Sequence, residues 1–88
     1  MNLAFSRSFA KDLRQITDAA VLKRLQEIIP EVESAARIQD LKNLKKISSR
    51  SGYYRLRLGD YRLGLIIEAS TVTLVRILHR KDIYRYFP

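Results

Sequence analysis

Cysteine is absent from the 88-residue sequence, and histidine occurs once, at His79. Without cysteine, neither a disulfide bond nor a thiolate metal site can hold the fold together. A lone histidine also supplies too few ligands for the usual zinc site. We therefore expect a protein without a metal or another cofactor, whose fold is stabilised by side-chain packing.

Long apolar runs are missing as well. No run approaches the roughly 20 apolar residues that a membrane-spanning helix needs, and the N-terminus lacks the charged-then-apolar pattern of a signal peptide. Hydrophobic residues still make up 47% of the chain, which is enough for a core and excludes a disordered basic tail. Because a chain of this length builds one core, we predict one domain, residues 1–88, in the cytoplasm and without a membrane partner.

Acidic residues are scarce relative to basic ones. Nine Asp and Glu stand against 17 Lys and Arg, which gives a formal net charge of +8. An excess of this size on a small domain is typical of proteins that bind a polyanion. The charge predicts nucleic acid or an acidic protein as the partner. The alternative is a cationic surface that serves only solubility.

The N-terminal half of the chain predicts one strand followed by two helices. Residues 2–5 read as a short strand, and Ser6 or Ser8 can cap the first helix. Asp18 can cap the second helix, whose apolar residues keep the 3.6-residue period. Because this period continues past Pro30, we interpret the second helix as kinked rather than ended there. A new helix with Pro30 in its first turn is the alternative.

In the C-terminal half the apolar period changes to two. Residues 37–52 form a polar, basic and mobile connector in this interpretation. Three strands are predicted after it, at residues 53–58, 61–68 and 72–79. Residues 83–87 form an amphipathic tail that is too short to be stable unless it docks on the sheet. We predict an α+β fold in which two N-terminal helices pack on one face of a small, mostly antiparallel four-stranded sheet.

A two-residue hairpin turn after the first of these three strands would set the register of the sheet. Arg57 then faces Arg62, and Arg55 faces Gly64. The three arginines fall on one face and the leucines on the other. Directly opposed arginines repel each other, so this face should bind an anion, and guanidinium groups suit phosphate. Gly64 would leave room for a ligand backbone, whereas a merely solvated sheet face is the alternative.

Further cationic and aromatic residues flank this face. Arg80 and Tyr84 follow the last strand, where they could border the arginines. Five other residues are expected to attract phosphate around the site: Lys45, Lys46, Arg50, Lys81 and Arg85. His79 has two alternatives, a partly buried strand-end position and a catalytic role.

Three motifs carry a resemblance to a known family: Tyr54-Arg55-Leu56-Arg57-Leu58, Asp60-Tyr61-Arg62-Leu63, and His79-Arg80 with Tyr84. Together they resemble the RelE/ParE superfamily of bacterial toxins, and its RelE branch most closely. The similarity covers essentially the whole chain, although only the sheet motifs are distinctive. It implies a RelE-like fold and an active site formed by Arg55, Arg57, Arg62, Arg80 and Tyr84.

Two departures from the family pattern concern this active site. The first two strand positions, Arg55 and Arg57, are lysine in some members. The spacing between Arg80 and Tyr84 is shorter than in some members, which leaves Tyr86 as a competitor for the role of Tyr84.

The resemblance implies the toxin of a type II toxin–antitoxin system. Such a toxin would be a metal-independent endoribonuclease that cuts mRNA in the ribosomal A site, leaves 2′,3′-cyclic phosphate ends and inhibits translation. Its partners would be mRNA, the ribosome and a cognate antitoxin, and the toxin would be monomeric outside the antitoxin complex. A ParE-like DNA gyrase inhibitor without nuclease activity and a non-enzymatic RNA-binding module are the alternatives.

The chemistry of RNA cleavage is compatible with these residues. RNA carries its own nucleophile, the 2′-OH, so the protein must align the strand, move a proton and neutralise the phosphate. Tyr84 is the candidate base, because the charges of Arg80 and Arg85 favour its phenolate. His79 is a rival, because an imidazole exchanges protons near neutral pH.

Overall fold

The computed structural model describes all 88 residues and has an α+β fold with a five-stranded mixed sheet. In chain order the elements are β1 (Asn2–Phe5), α1 (Arg7–Arg14), α2 (Ala19–Ser34), a 3₁₀ turn (Ile38–Asp40), β2 (Leu44–Lys46), β3 (Tyr53–Leu58), β4 (Tyr61–Glu68), β5 (Thr71–His79) and α3 (Ile83–Tyr86). The strands are ordered β1-β5-β4-β3-β2 across the sheet. β1 runs parallel to β5, and every other neighbouring pair is antiparallel.

Side-chain caps explain where the two N-terminal helices begin. The hydroxyl of Ser6 accepts a hydrogen bond from the N–H of Phe9 at 3.0 Å, so Ser6 rather than Ser8 caps α1. The carboxylate of Asp18 accepts bonds from two N–H groups in the first turn of α2. α2 continues through Pro30 to Ser34, which confirms one continuous helix.

The main core lies between the sheet and the two N-terminal helices. Fifteen buried residues form it, and Ile28 of α2 and Leu56 and Leu63 of the sheet are completely inaccessible. Tyr54 and Tyr61 pack against the same cluster from the helix-covered face. Burial of apolar side chains between layers is the main stabilisation available to a protein without disulfides.

Two of the predictions about the fold were wrong in detail. The predicted connector at residues 37–52 contains β2, which pairs antiparallel with β3 and makes the sheet five-stranded rather than four-stranded. The apolar side chains of Ile38, Leu41 and Ile47 are buried and hold this segment in place. β2 could not be predicted from the sequence, because its three residues, two of them exposed lysines, are too few to display a period of two.

The predicted amphipathic tail is a third helix on the opposite face of the sheet. Ile83 and Phe87 are buried there and form a second apolar cluster with Ile47. The two N-terminal helices therefore cover one face, while α3 covers part of the other. None of the helices is both long and apolar enough to cross a membrane.

Asp12 of α1 ties the helical layer to β5. Its carboxylate accepts two hydrogen bonds from the guanidinium of Arg76, at 2.7 and 2.9 Å, and one from the N–H of Ile77 at 3.1 Å. The hydrogen bond to Asp12 raises the pKa of Arg76 above its ordinary value, and partial burial opposes this effect. The arrangement accounts for the one buried acidic side chain of the protein.

Candidate functional site

The hairpin between β3 and β4 has the predicted register. Leu58 pairs with Tyr61, Arg57 with Arg62, and Arg55 with Gly64, while Gly59 adopts the left-handed conformation that a two-residue turn requires, with φ of 60°. The leucines of both strands lie in the main core. The prediction that Arg55, Arg57 and Arg62 share the face away from the N-terminal helices is therefore confirmed.

These arginines line one open pocket with a volume of about 440 Å³. The lining residues are Asn43, Leu44, Lys45, Arg55, Arg57, Arg62 and Tyr84. Four of the seven carry a positive charge and none carries a negative one. A pocket of this composition attracts an anion, and paired guanidinium groups favour a phosphate.

Tyr84 reaches the pocket from α3 and lies against Arg55. The guanidinium carbon of Arg55 is 4.3 Å from the centre of the Tyr84 ring, within the range of a cation–π contact. Tyr84 is nevertheless 64% exposed. Its ring is thus held by the arginine, while most of the side chain remains accessible to a ligand.

Arg62 makes hydrogen bonds to its own hairpin turn. One terminal nitrogen, Nη1, donates to the carbonyl of Gly59 at 2.8 Å and to the carbonyl of Tyr61 at 3.0 Å. Both acceptors are neutral, and the turn is on the surface. A phosphate would offer the guanidinium stronger, charge-assisted bonds, so these contacts can be exchanged for a ligand.

Arg80 lies outside this pocket. It follows β5, and its backbone N–H donates to the carbonyl of Asp60 in the β3–β4 turn at 2.8 Å. Its side chain is exposed. The structure therefore brings together four of the five residues in the predicted active site and places Arg80 beside the turn that precedes Arg62.

The two other candidate bases, His79 and Tyr86, also lie outside the pocket. His79 pairs with Tyr61 on the helix-covered side, where the two rings meet edge to face with centres 5.6 Å apart. Tyr86 lies against Arg76 of β5 instead, with its ring centre 5.3 Å from the guanidinium carbon. Neither ring lines the arginine pocket. Tyr84 is the one aromatic residue that shares the pocket with the arginines.

Of the five residues predicted to attract phosphate around the site, Lys45 alone lines the pocket, because it pairs with Arg55 across β2 and β3. Arg50 stacks on Tyr53 instead, with 5.4 Å between its guanidinium carbon and the ring centre. The other three are exposed outside the pocket: Lys46, Lys81 and Arg85.

Sequence interpretation missed the contribution of Asn43. This residue lines the pocket, and its carbonyl accepts a hydrogen bond from the N–H of Arg57 at 3.1 Å. Its φ of 64° lies in the left-handed region, which asparagine tolerates better than most residues. An asparagine in a polar segment is a usable signal for such a turn, but the pairing with β3 is needed to place it at the site.

Gly64 does not have the surroundings that the sequence suggested. The ring of Phe87 covers it, and a Cβ at this position would lie 2.6 Å from Cγ of Phe87. The space above Gly64 is therefore filled by the protein itself, and the expectation that a ligand backbone approaches there was wrong.

Three comparisons with known proteins identify relatives of this chain. A family model described as the ParE toxin of a type II toxin–antitoxin system matches residues 3–84. Toxin RelE3 of Methanocaldococcus jannaschii is 40% identical over 89 residues, and the match covers 100% of both chains. A chain in the crystal structure of a RelB–RelE antitoxin–toxin complex from Methanococcus jannaschii is 38% identical, with a TM-score of 0.83 over 97% of this chain and 99% of that one.

A more distant relative has the same fold. A chain in the archaeal RelE–RelB complex from Pyrococcus horikoshii is 19% identical, with a TM-score of 0.72 over 90% of this chain and 93% of that chain. Fold, basic pocket and sequence similarity together define a toxin of a type II toxin–antitoxin system. The chain belongs to the RelE/ParE superfamily, and within it the chain is RelE-like.

Proposed function

We propose that this toxin is an endoribonuclease that cleaves mRNA at the arginine pocket. The observation that carries the proposal is the convergence of Arg55, Arg57, Arg62 and Tyr84 on one open pocket. It combines groups that bind phosphate with one group that can transfer a proton. The 40% identity to a RelE toxin along the whole chain supports the same reading.

The arginines would bind the scissile phosphate and neutralise its developing charge. Arg57 and Arg62 lie directly opposite each other, so a phosphate between them can accept bonds from both guanidinium groups. Such donors stabilise a transition state most when they are held in position before the reaction. The strand pairing supplies that constraint here.

Tyr84 would act as the base in its phenolate form. It accepts the proton of the 2′-OH, the 2′-oxygen bonds to the adjacent phosphorus, and the bond from phosphorus to the 5′-oxygen breaks. The 5′-oxygen takes a proton from solvent. The products are a 2′,3′-cyclic phosphate and a 5′-hydroxyl, and the reaction needs no protein nucleophile, because RNA supplies its own.

We propose that the substrate is mRNA in the ribosomal A site. The pocket offers a single aromatic acid–base residue and is open to solvent, so the protein contributes little to the alignment of a flexible strand. Alignment is a large part of the catalytic effect in reactions of this kind. A ribosome that holds the message would supply it, and the toxin would then inhibit translation in the cytoplasm.

A cognate antitoxin would be the second partner. Two similar toxins were crystallised in complex with RelB. We propose that an antitoxin inhibits this toxin, monomeric on its own, by covering the arginine pocket or displacing residues 83–87. The net charge of +8 makes an acidic antitoxin segment the complementary partner.

The proposal is tested with purified toxin and ribosomes that carry a defined message. We expect cuts within the A-site codon and 2′,3′-cyclic phosphate at the new ends, both identified by end mapping. Arg14→Ala is the matched control, because it removes an exposed arginine of α1 remote from the pocket. RNA that is bound but left intact would indicate a non-enzymatic RNA-binding module instead.

The match to the ParE family model favours a second candidate function, the inhibition of DNA gyrase. A gyrase supercoiling assay distinguishes the two. Inhibition of supercoiling by the toxin, together with intact message on the ribosome, would support the ParE-like alternative and exclude the ribonuclease.

A further inference from the structure

Tyr84 is carried by an element that cannot hold itself in place. α3 has four residues, and Asp82 before it makes no side-chain capping bond. A helix this short is unstable in water without tertiary contacts. The position of Tyr84 in the pocket therefore depends on the residues that fasten α3 to the sheet.

Two buried side chains anchor α3 to the sheet. Ile83 is 0% exposed and Phe87 is 3% exposed, and they lie one helical turn apart on the side of α3 that faces the sheet. The N–H of Phe87 donates to the carbonyl of Ile83 at 2.8 Å, which joins the two anchors. Tyr53 extends the contact, since its ring centre lies 5.6 Å from that of Phe87.

The ring of Phe87 packs directly on Gly64 of β4. A Cβ at position 64 would lie 2.6 Å from both Cγ and Cδ2 of Phe87, far inside van der Waals contact. Glycine is not required here by the backbone, because the φ of Gly64 is not in the left-handed region. The position requires glycine because the ring of Phe87 occupies the space that a side chain would need.

Gly64 also lies opposite Arg55, the residue that contacts Tyr84. The pairing of β3 with β4 sets Arg55 against Gly64, Phe87 rests on Gly64, and Phe87 follows Tyr84 by three residues. The ring of Tyr84 in turn contacts Arg55, with its centre 4.3 Å from the guanidinium carbon. A continuous set of contacts between α3 and the β3–β4 hairpin is therefore formed by Arg55, Gly64, Phe87 and Tyr84.

We propose that Gly64 and Phe87 are positioning residues that hold Tyr84 in the arginine pocket. This inference rests on the proposed ribonuclease function for its catalytic consequence, but not for the placement of Tyr84. A side chain at position 64 would push Phe87 away and move α3, while the arginines of the hairpin stay in place. The toxin would keep its phosphate-binding groups and lose the correctly placed base.

The first experiment follows the ring signals of labelled tyrosines by NMR in wild type and Gly64→Ala, with Tyr84→Phe identifying the Tyr84 signals. We expect the Tyr84 signals to move to those of a freely exposed tyrosine in Gly64→Ala. The signals of Tyr54 and Tyr61 should keep their positions, because both rings pack on the helix-covered face. Unchanged Tyr84 signals in this variant would overturn the inference.

The second experiment measures kcat and KM for mRNA cleavage on ribosomes. Gly64→Ala should lower kcat roughly 10²-fold, the scale expected when a catalytic group is misplaced by about 1 Å, and leave KM nearly unchanged. Phe87→Ala should have the same effect, and Phe87→Leu, which keeps an apolar anchor, should retain more activity. In the Phe87→Ala background, Gly64→Ala should lower kcat no further, because no aromatic ring remains for the added methyl group to clash with.

Ile28→Val is the control for general destabilisation, since it removes one buried methyl group from α2 in the main core, on the side of the sheet opposite to α3. A loss of kcat in Ile28→Val equal to that in Gly64→Ala would reduce the role of Gly64 to stability and overturn the inference. Displaced Tyr84 signals in Gly64→Ala, combined with no cleavage by the wild type, would support the placement of Tyr84 and reject the ribonuclease function alone.

Discussion

Arg57 and Arg62 lie directly opposite each other on neighbouring strands, on the face that the N-terminal helices leave open. Like charges in this arrangement destabilise a sheet. The unfavourable pair is tolerated because both side chains have access to solvent and Arg62 bonds to the carbonyl of Gly59. A bound phosphate would convert the repulsion into two favourable interactions.

We therefore expect Arg57→Ala and Arg62→Ala to slow cleavage on programmed ribosomes. Each substitution removes a donor to the phosphate, and single electrostatic donors in other enzymes contribute on the order of 10²–10³ in rate. Single-turnover cleavage at saturating toxin measures the effect on the chemical step. A rate equal to that of Arg14→Ala in both variants would contradict the assignment of the pocket.

Tyr84→Phe should abolish cleavage or slow it greatly while the protein remains folded. The substitution keeps the ring that Arg55 contacts and removes only the hydroxyl, so it separates proton transfer from packing. Tyr86→Phe and His79→Ala serve as controls, because neither ring lines the pocket. If Tyr84→Phe cleaves like the wild type and one of these two controls does not, the base is that other residue.

Arg80→Ala should also slow cleavage, although Arg80 lies outside the pocket. Its exposed side chain follows β5 next to the turn that precedes Arg62, and we expect it to contact a substrate that extends beyond the pocket. The measurement is again single-turnover cleavage, with circular dichroism to show that the fold is retained. Full activity of this variant would remove Arg80 from the site and leave the four residues that the pocket unites.

Binding of single-stranded RNA by the inactive Tyr84→Phe variant should weaken steeply with salt. Four cations line the pocket, and each contact with a phosphate of a single strand contributes about −0.7 to the slope of log K against log salt concentration. We expect a slope of about −3 and a shallower one, by about 0.7, after Arg57→Ala. A slope unaffected by this substitution would show that the RNA binds elsewhere.

Asp12→Ala should lower the free energy of unfolding by about 2 kcal/mol, as expected when hydrogen bonds to a charged group are lost. The substitution leaves Arg76 and the N–H of Ile77 without their acceptor. Asp12→Asn should cost less, because it can still accept a bond. Asp40→Ala is the control, because Asp40 is exposed and its Oδ1 lies 4.0 Å from Nε of Arg37, as in a weak surface ion pair. Urea unfolding of all three variants measures the free energies.

The fold could be predicted from the sequence wherever a pattern is long enough to repeat. The 3.6-residue period identifies the second helix even across Pro30, and Asp18 marks its start. The alternation along β3 and β4, together with the turn at Gly59, sets the register that puts the arginines on one face. These features are local, because they depend on neighbouring residues and on the geometry of one turn.

The short elements and their contacts could not be predicted in this way. β2 has three residues and α3 has four, so neither displays a period of its own, and both form because the sheet offers them a partner. The position of α3 decides that Tyr84, rather than Tyr86, faces the arginines, and that Phe87 rests on Gly64. Which charges share a face follows from the residue pattern alone, since strand alternation is a local rule. The completion of the site required packing between residues that are distant in the chain.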